Sequence, residues 1–397
     1  MKVERLDHYG RGIIKKDGKI GFIKNALEQE DIEYELIKEH KNYFEGISKS
    51  ISNESKDRVK PQCNEYLICG GCNLLHMNDE LKVKFKQDKI FNILEKLNTK
   101  INELVYSSQY NYRNKVVLHV QNGKIGLYKD KSNELIEVND CLLLSKKINE
   151  IIKVLKDYVK EERKIKTITI KLGNITEEVM IIVEGEIERY YKLLDLCNVL
   201  IINDKVITDQ ESIISYIGDK RYYVSKNSFF QVNYDISTKI YEKVKSYIKE
   251  MGSKNVLDLY CGVGTIGIFI ADAVENVLGI EVVEDAVKDA NKNMRLNNID
   301  NISFRLGKVE DLIQDIKGIY DTVVVDPPRG GLDKKVIDSL IEINPKNIIY
   351  VSCDIMTLRR DLEMLNEEYN IIEVTPYDMF PNTFHVETVM VLEKKDV

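Results

Sequence analysis

Near the C-terminal end of this 397-residue sequence, Val351-Ser352-Cys353-Asp354 and His385-Val386-Glu387-Thr388 place a thiol and a carboxyl group beside apolar runs. Upstream, Asp258-Leu259-Tyr260-Cys261-Gly262-Val263-Gly264 reads as a strand entering a glycine-rich turn. A thiolate nucleophile, a carboxylate base and a turn that cradles a nucleotide-like ligand are the equipment for modifying carbon 5 of a pyrimidine. Carbon 5 of uracil is too weak a nucleophile to take a methyl group directly. Thiolate attack at carbon 6 turns the ring into an enolate, whose carbon 5 displaces the methyl group of a sulfonium. A base then removes the carbon 5 proton, the thiolate leaves and aromaticity returns. Cys353 fits the first role and Glu387 the second.

Each candidate has a plain structural alternative. A free cysteine is most often a buried packing residue, and Glu387 could be a solvent-facing strand residue. Cys353, however, follows the apolar run Asn347-Ile348-Ile349-Tyr350-Val351 and so lies at the carboxyl end of a strand, where side chains face a cleft. Cys261 at the turn and Cys197, expected on an apolar helix, suit packing. Glu387 follows the turn Met379-Phe380-Pro381, and His385 is two residues away, where it can orient the acid, contact substrate or be structural. A thiol starts near pKa ~8.5, so the site must stabilise the thiolate or take its proton during attack; the sequence does not single out the group responsible.

Val256 to Leu259 is a buried strand, and Gly262 to Gly267 opens the following helix, whose N-terminal amides and close backbone approach suit a phosphate- or nucleotide-bearing ligand. The same glycine pattern occurs in dinucleotide dehydrogenases. Glu281 ends the next strand, where an acid accepts ribose hydroxyls for either cofactor class. The acidic stretch Val309-Glu310-Asp311 would border an adenine. Asp326-Pro327-Pro328-Arg329 closes the strand 321–325 at the sheet edge where ligands bind, although a tight turn is the simple reading of Asp-Pro-Pro. Arg329 stands where enzymes that methylate exocyclic amines carry an aromatic residue.

These residues must be positioned by an alternation of strands and helices that begins near Ser237, which predicts a mostly parallel, doubly wound sheet. Before it, runs around the Asn122-Gly123 hairpin signal, a helix over 146–160 and strands at 167–170 and 179–183 predict a small α+β unit. The first 47 residues alternate short strand-like runs with turns and suggest a small β-barrel of the type that binds nucleic acid. Ser48 to Lys60 reads as a linker and Glu80 to Leu97 as a helix.

With 43% hydrophobic and 31% charged residues the chain reads as soluble and globular, and its length calls for two or three domains. The N-terminus has no apolar leader and no run is long enough to cross a bilayer, so a cytoplasmic protein without a membrane partner is expected. Its seven cysteines then read as thiols or metal ligands. A net charge of -7 gives no general basic excess for nucleic acid. One local candidate is Lys220-Arg221-Tyr222-Tyr223 with Lys226, Phe229 and Phe230, against the plain reading of a half-buried strand; Phe229 or Phe230 could also receive a flipped base. Cys63, Cys69 and Cys72 suggest a metal site, completed either by His76 around zinc or by Cys141 around an iron–sulfur cluster.

The motifs together resemble the RNA m5U methyltransferases, in the 23S rRNA (uracil-C5) branch that carries an iron–sulfur cluster. The resemblance spans nearly the whole chain. It rests on Asn227-Ser228-Phe229-Phe230-Gln231-Val232-Asn233, on Ser352-Cys353-Asp354 with Thr357-Leu358 and Arg360-Asp361, and on Asp378 to Glu387. It implies a Rossmann-like α/β methyltransferase domain at 216–397, an α+β central domain at 80–215, a cysteine-bearing linker at 51–79 and a TRAM-like (OB-like) barrel at 1–50, signalled by Asp7-His8-Tyr9-Gly10-Arg11-Gly12-Ile13. It further implies Cys353 as nucleophile and Glu387 as base. Gln231, Tyr260, Glu281 and Asp326 would bind S-adenosylmethionine, and Cys63, Cys69, Cys72 and Cys141 would bind a [4Fe-4S] cluster rather than zinc. The expected partner is 23S rRNA, with the tRNA T-loop as the alternative substrate, a non-catalytic RNA-binding assembly factor as the alternative class, and a monomer as the working state.

Overall fold

Continuous apolar strands alternating with amphipathic helices can bury both faces of a sheet, and the C-terminal half does so. The computed structural model describes residues 1–97, 99–316 and 320–395. Its strands in chain order are β1 (Arg5–Leu6), β2 (Gly12–Lys16), β3 (Lys19–Lys24), β4 (Asp31–Glu39), β5 (Tyr43–Ser52), β6 (Lys100–Ile101), β7 (Lys115–Gln121), β8 (Lys124–Tyr128), β9 (Leu135–Glu137), β10 (Ile165–Leu172) and β11 (Val179–Gly185). There follow β12 (Val199–Ile202), β13 (Lys205–Val206), β14 (Ile213–Ile217), β15 (Lys220–Val224), β16 (Asn255–Leu259), β17 (Asn276–Glu281), β18 (Ile302–Leu306), β19 (Thr322–Val325), β20 (Asn347–Ser352), β21 (Tyr369–Tyr377) and β22 (Glu387–Lys394). The helices are α1 (Asp79–Leu94), α2 (Lys146–Glu161), α3 (Tyr191–Leu194), α4 (Tyr234–Glu250), α5 (Thr265–Ile270), α6 (Glu284–Leu296), α7 (Val309–Leu312), α8 (Lys334–Ile343) and α9 (Ile355–Leu365).

The C-terminal sheet has the order β18-β17-β16-β19-β20-β22-β21-β6. β16 to β20 pair in parallel, whereas β22 runs antiparallel between β20 and β21. Side chains of α1, α8 and α9 form the core on one face, and those of α4 and α5 the core on the other. The expected doubly wound α/β fold is therefore present, with one antiparallel strand inserted beside the last parallel one. Residues 80–105, expected within the central unit, pack on this sheet: Ile90, Ile93, Leu94 and Leu104 join its core, and β6 pairs with β21 at its edge.

The central sheet, β13-β12-β11-β10-β7-β8-β9, packs on α2. Asn122 and Gly123, both at positive φ (53° and 72°), make the β7–β8 hairpin turn that this dipeptide favours. In the N-terminal sheet, β1-β2-β3-β5-β4, the amides of Val3 and Ile32 donate to Glu30 and Met1 carbonyls (2.9 and 2.8 Å), joining the two edges. β5 continues to Ser52 in register with Asp31, so the polar run from Ser48 starts as strand rather than linker. Arg58 then anchors the following segment by two bonds to Glu30, at 2.6 and 2.7 Å. Cys197 lies in the loop after α3, not on a helix, and its thiol donates to the Leu193 carbonyl (3.2 Å). Among the described residues no helix is long and apolar enough to cross a membrane.

Candidate active site

The parallel strands deliver their C-terminal ends to one edge, the side on which open α/β sheets bind ligands. β16 ends at Leu259, and the chain then passes through Tyr260, Gly262 and Gly264 at φ 63°, 55° and 78°. A side chain at Gly262 would meet open space, so glycine is needed there for its backbone angle and leaves the amide approachable. Beneath this turn Asp258 accepts the Gly267 amide through Oδ2 (3.0 Å), while Oδ1 is buried and unpartnered among the described residues. Burial pushes its carboxyl up to about 8. Glu281, at the end of β17, accepts the amides of Gly262 (3.0 Å) and Val283 (2.8 Å), which aims its carboxylate at the turn and leaves lone pairs for ribose hydroxyls. A cleft of about 440 Å³ opens at Tyr260 of the turn, bordered by Glu310, Pro328 and Leu332. An unpartnered acid, an acid at the ribose position and an open glycine turn fit an adenosyl cofactor.

Gln231 reaches the same edge from the segment before α4, where its side chain bonds the Tyr241 hydroxyl, itself 3.0 Å from Thr265 Oγ1. Lys171 fixes that segment by donating to the carbonyls of Ser225, Lys226 and Ser228 (2.8, 2.8 and 3.1 Å), and Asp289 accepts both serine hydroxyls at 2.5 Å. Phe229 protrudes, 70% exposed, whereas Phe230 packs against Tyr222.

Register brings the two sequence-selected catalytic candidates together. Ser352 of β20 pairs with Thr388 of β22, so the next residues outward, Cys353 and Glu387, fall opposite each other. Asp326 follows β19, the strand next to β20, and its charge acts on both. Glu387 is 8% exposed, which removes the solvent-facing reading. Burial first, then Asp326, push its carboxyl up to about 8, while Arg329 opposes. Burial likewise pushes Asp326 up to about 7. The Cys353 thiol is raised to about 12, by burial and then by Glu387 and Asp326, again against Arg329. Two carboxyl groups and the thiol thus lie within electrostatic reach of one another, with the Arg329 charge acting on Glu387 and Cys353, and the thiol is neutral in the free protein. Sequence reasoning noted Arg329 only as a replacement for an aromatic residue; its place directly after Asp-Pro-Pro was the available signal.

The residues that follow the cysteine in its motif serve the neighbouring loop. Asp354 caps α9 by accepting the amides of Met356 and Thr357 (2.9 and 3.1 Å). Asp361 accepts the Leu332 amide and the Tyr350 hydroxyl (2.8 and 2.7 Å), and Arg360 donates to the Gly330 and Leu332 carbonyls, so α9 holds the loop that carries Asp326 and Arg329. Behind Glu387, Lys86 of α1 pairs with Asp378 at 2.5 Å and donates to the Phe380 carbonyl at 3.1 Å. His385 packs against Phe380 and Phe384, and burial, then Arg329, lower its pKa to about 4, which keeps the imidazole neutral.

A groove of about 680 Å³ runs from this loop past the cysteine segment to the N-terminal sheet, with Arg113, Lys131 and Arg329 along it beside Arg11 and Lys24, which are paired with Asp7 and Glu45 and with Asp130. By contrast, the sequence-selected patch at 220–226 is a structural strand. Tyr222 is buried and donates to the Thr265 carbonyl, Arg221 to the Leu296 carbonyl, and Lys226 is paired with Glu184 and Asp204.

Cys63, Cys69, Cys72 and Cys141 lie half-buried where the cysteine segment docks on the end of β8 through the Cys69–Lys129 bridge. The first three thiols have raised pKa values, first through burial, and the charge of Cys141 enters for each. Four thiols within electrostatic reach of one another suit a cation-bearing centre that stabilises thiolates. Among the described residues no three His, Cys, Asp or Glu side chains converge as ligands of one ion. His76, the alternative zinc ligand, is buried with Nδ1 2.5 Å from the Tyr66 hydroxyl, and no cysteine is among the charges that act on it.

Residues 200–395 match the family model described as tRNA (Uracil-5-)-methyltransferase. The chain is also 35% identical to an uncharacterized RNA methyltransferase of Staphylococcus epidermidis, over 100% of this chain and 97% of that protein. The chain belongs to the tRNA (uracil-5-)-methyltransferase family. An uncharacterized RNA methyltransferase of Staphylococcus aureus shares 35% identity over 98% of this chain and 96% of its own. The Pyrococcus abyssi tRNA (uracil-54, C5)-methyltransferase, solved in complex with S-adenosyl-L-homocysteine, is similar at a TM-score of 0.81 with 27% identity, covering 99% of both chains. This member of the uracil-5 methyltransferase family is thus an S-adenosylmethionine-dependent RNA methyltransferase with a Rossmann-like catalytic fold, which removes the nicotinamide and non-catalytic readings.

Proposed function

We propose that the protein methylates carbon 5 of a uridine in 23S rRNA, with Cys353 as nucleophile and Glu387 as base. The observation that carries the mechanism is the β20–β22 register, which sets the thiol and the carboxyl opposite each other at the ligand edge. S-adenosylmethionine supplies an electrophilic methyl group at that edge. Tyr260, Gln231, Glu281 and Asp326 hold it, with Glu281 directed to the ribose. The flipped uridine enters from the groove, and Cys353 adds to carbon 6. Because the thiol is neutral at rest, its proton leaves as it attacks, with Asp326 as the nearby acceptor, so that Glu387 stays ionised for the later step. Arg329 is the cation near the negative charge that develops. After methylation Glu387, as carboxylate, takes the carbon 5 proton and the Cys353–carbon 6 bond breaks.

The 23S assignment rests on the four cysteines, which would hold the [4Fe-4S] cluster of that branch, and on residues 1–50, which would be its TRAM-like RNA-binding barrel. The tRNA T-loop is the second reading, favoured by the similarity to the Pyrococcus tRNA enzyme. Anaerobically purified protein incubated with S-adenosylmethionine and unmodified 23S rRNA or tRNA decides between them by mass-spectrometric mapping of 5-methyluridine. Product in the rRNA alone supports the proposal, and product in the tRNA alone overturns its substrate.

A further inference from the structure

The loop from Asp378 to Glu387 carries the proposed base but has little regular structure of its own, so its geometry must come from neighbours. Among them the cysteine segment has a direct hold. The amides of Asn73 and Leu74, the two residues after Cys72, both donate to the carbonyl of Asn382, at 2.9 and 3.1 Å. Asn382 is completely buried and sits at φ 66°, a left-handed conformation that asparagine tolerates better than alanine. That conformation directs its carbonyl to the two amides, while its side-chain amide donates to the Gln109 carbonyl at 2.8 Å. Farther along the loop, Lys89 donates to the Phe384 carbonyl at 2.9 Å from α1, the helix that directly follows the cysteine segment. Among the described residues Cys353 has no comparable hydrogen bond from the cysteine segment; it sits between β20 and α9.

We propose that Asn382 is a positioning residue through which the cysteine segment sets the place of Glu387, so that the state of the Cys63–Cys72 site controls proton removal and release rather than thiolate attack. This rests on the reading of Glu387 as base. Displacing a base by about an ångström can slow its step by roughly 10²-fold while leaving binding intact. Addition and methylation then continue, and the enzyme stalls as the covalent RNA adduct.

The test compares Asn382→Ala, Asn382→Gly and Cys72→Ser in the full-length, anaerobically purified protein. Readouts are the covalent protein–RNA adduct on a denaturing gel, hydrogen exchange across 378–387 and S-adenosylhomocysteine binding. Asn382→Ala and Cys72→Ser should accumulate adduct, release product roughly 10²-fold more slowly and exchange faster in 378–387, with cofactor binding unchanged. Asn382→Gly keeps the left-handed backbone and should restore turnover although it lacks the Gln109 bond. Wild-type exchange and turnover in Cys72→Ser, or loss of addition and elimination together in Asn382→Ala, would overturn the coupling. Glu387→Gln in the otherwise unchanged protein is the separate control: its failure to trap adduct overturns the base assignment instead, while the exchange data still report on the link.

Discussion

At the scale of single residues, the site combines a carboxyl group that resists ionisation with a thiol that resists it more. Glu387 must be a carboxylate to take a proton, yet its pKa stands at about 8. Turnover should therefore climb with pH through roughly 7 to 9, since only the ionised fraction works below that range; a rate independent of pH there would remove Glu387 as base. The same shift carries a stability sign. A carboxyl whose pKa is raised by folding favours the native state at low pH, and the benefit is lost as pH rises through about 8. Glu387→Gln should accordingly gain in melting temperature over the wild type at pH 9 compared with pH 5. Cys353→Ala should give no product and no adduct while still binding S-adenosylhomocysteine. Calorimetry with the variant checks that the loss is chemical.

At the scale of elements, the helix α1 shows where sequence reading stops. Its helical period was legible, as were the carboxyl-end positions of Cys353 and Asp326, because each is written in a few adjacent residues. Its location was not. Lys86 looks like one more solvent lysine in a lysine-rich helix, and only the partner Asp378 on a distant loop shows that both are buried. The two-residue strand β6 is equally invisible, since its identity comes from pairing with β21. The patch at 220–226 misled for the converse reason: alternating cations and rings also describe a strand whose charges are locally paired. Lys86→Met should destabilise the protein by about 3–5 kcal/mol, because it strands the Asp378 charge in the interior. Urea unfolding of the Lys86→Met/Asp378→Leu double variant should recover most of that loss.

At the scale of the whole molecule, substrate recognition has to overcome a net charge of -7. The cations that border the groove come from three separate parts of the chain, with Arg11 in the N-terminal sheet region, Arg113 before β7 and Arg329 at the catalytic edge. If RNA lies there, removal of one phosphate contact by Arg113→Gln should lower the slope of log affinity against log salt by about 0.7 to 0.9. Filter binding across a salt series measures it, and an unchanged slope places the RNA elsewhere. Iron and sulfide near four each per chain in anaerobic protein would support the cluster assignment, and zinc in their place would refute it.

The buried Lys86–Asp378 pair also has a history within each molecule's synthesis. Its partners are 292 positions apart. At about 5–20 residues per second, translation separates their emergence by roughly 15–60 s. Throughout that interval the Lys86 ammonium group lacks the carboxylate it is buried with, and the sheet that α1 covers is incomplete. The nascent chain therefore keeps apolar surface uncovered until its last strands appear, a state prone to aggregation. Truncations that lack only the C-terminal strand should be lost to aggregation before any catalytic defect could be measured.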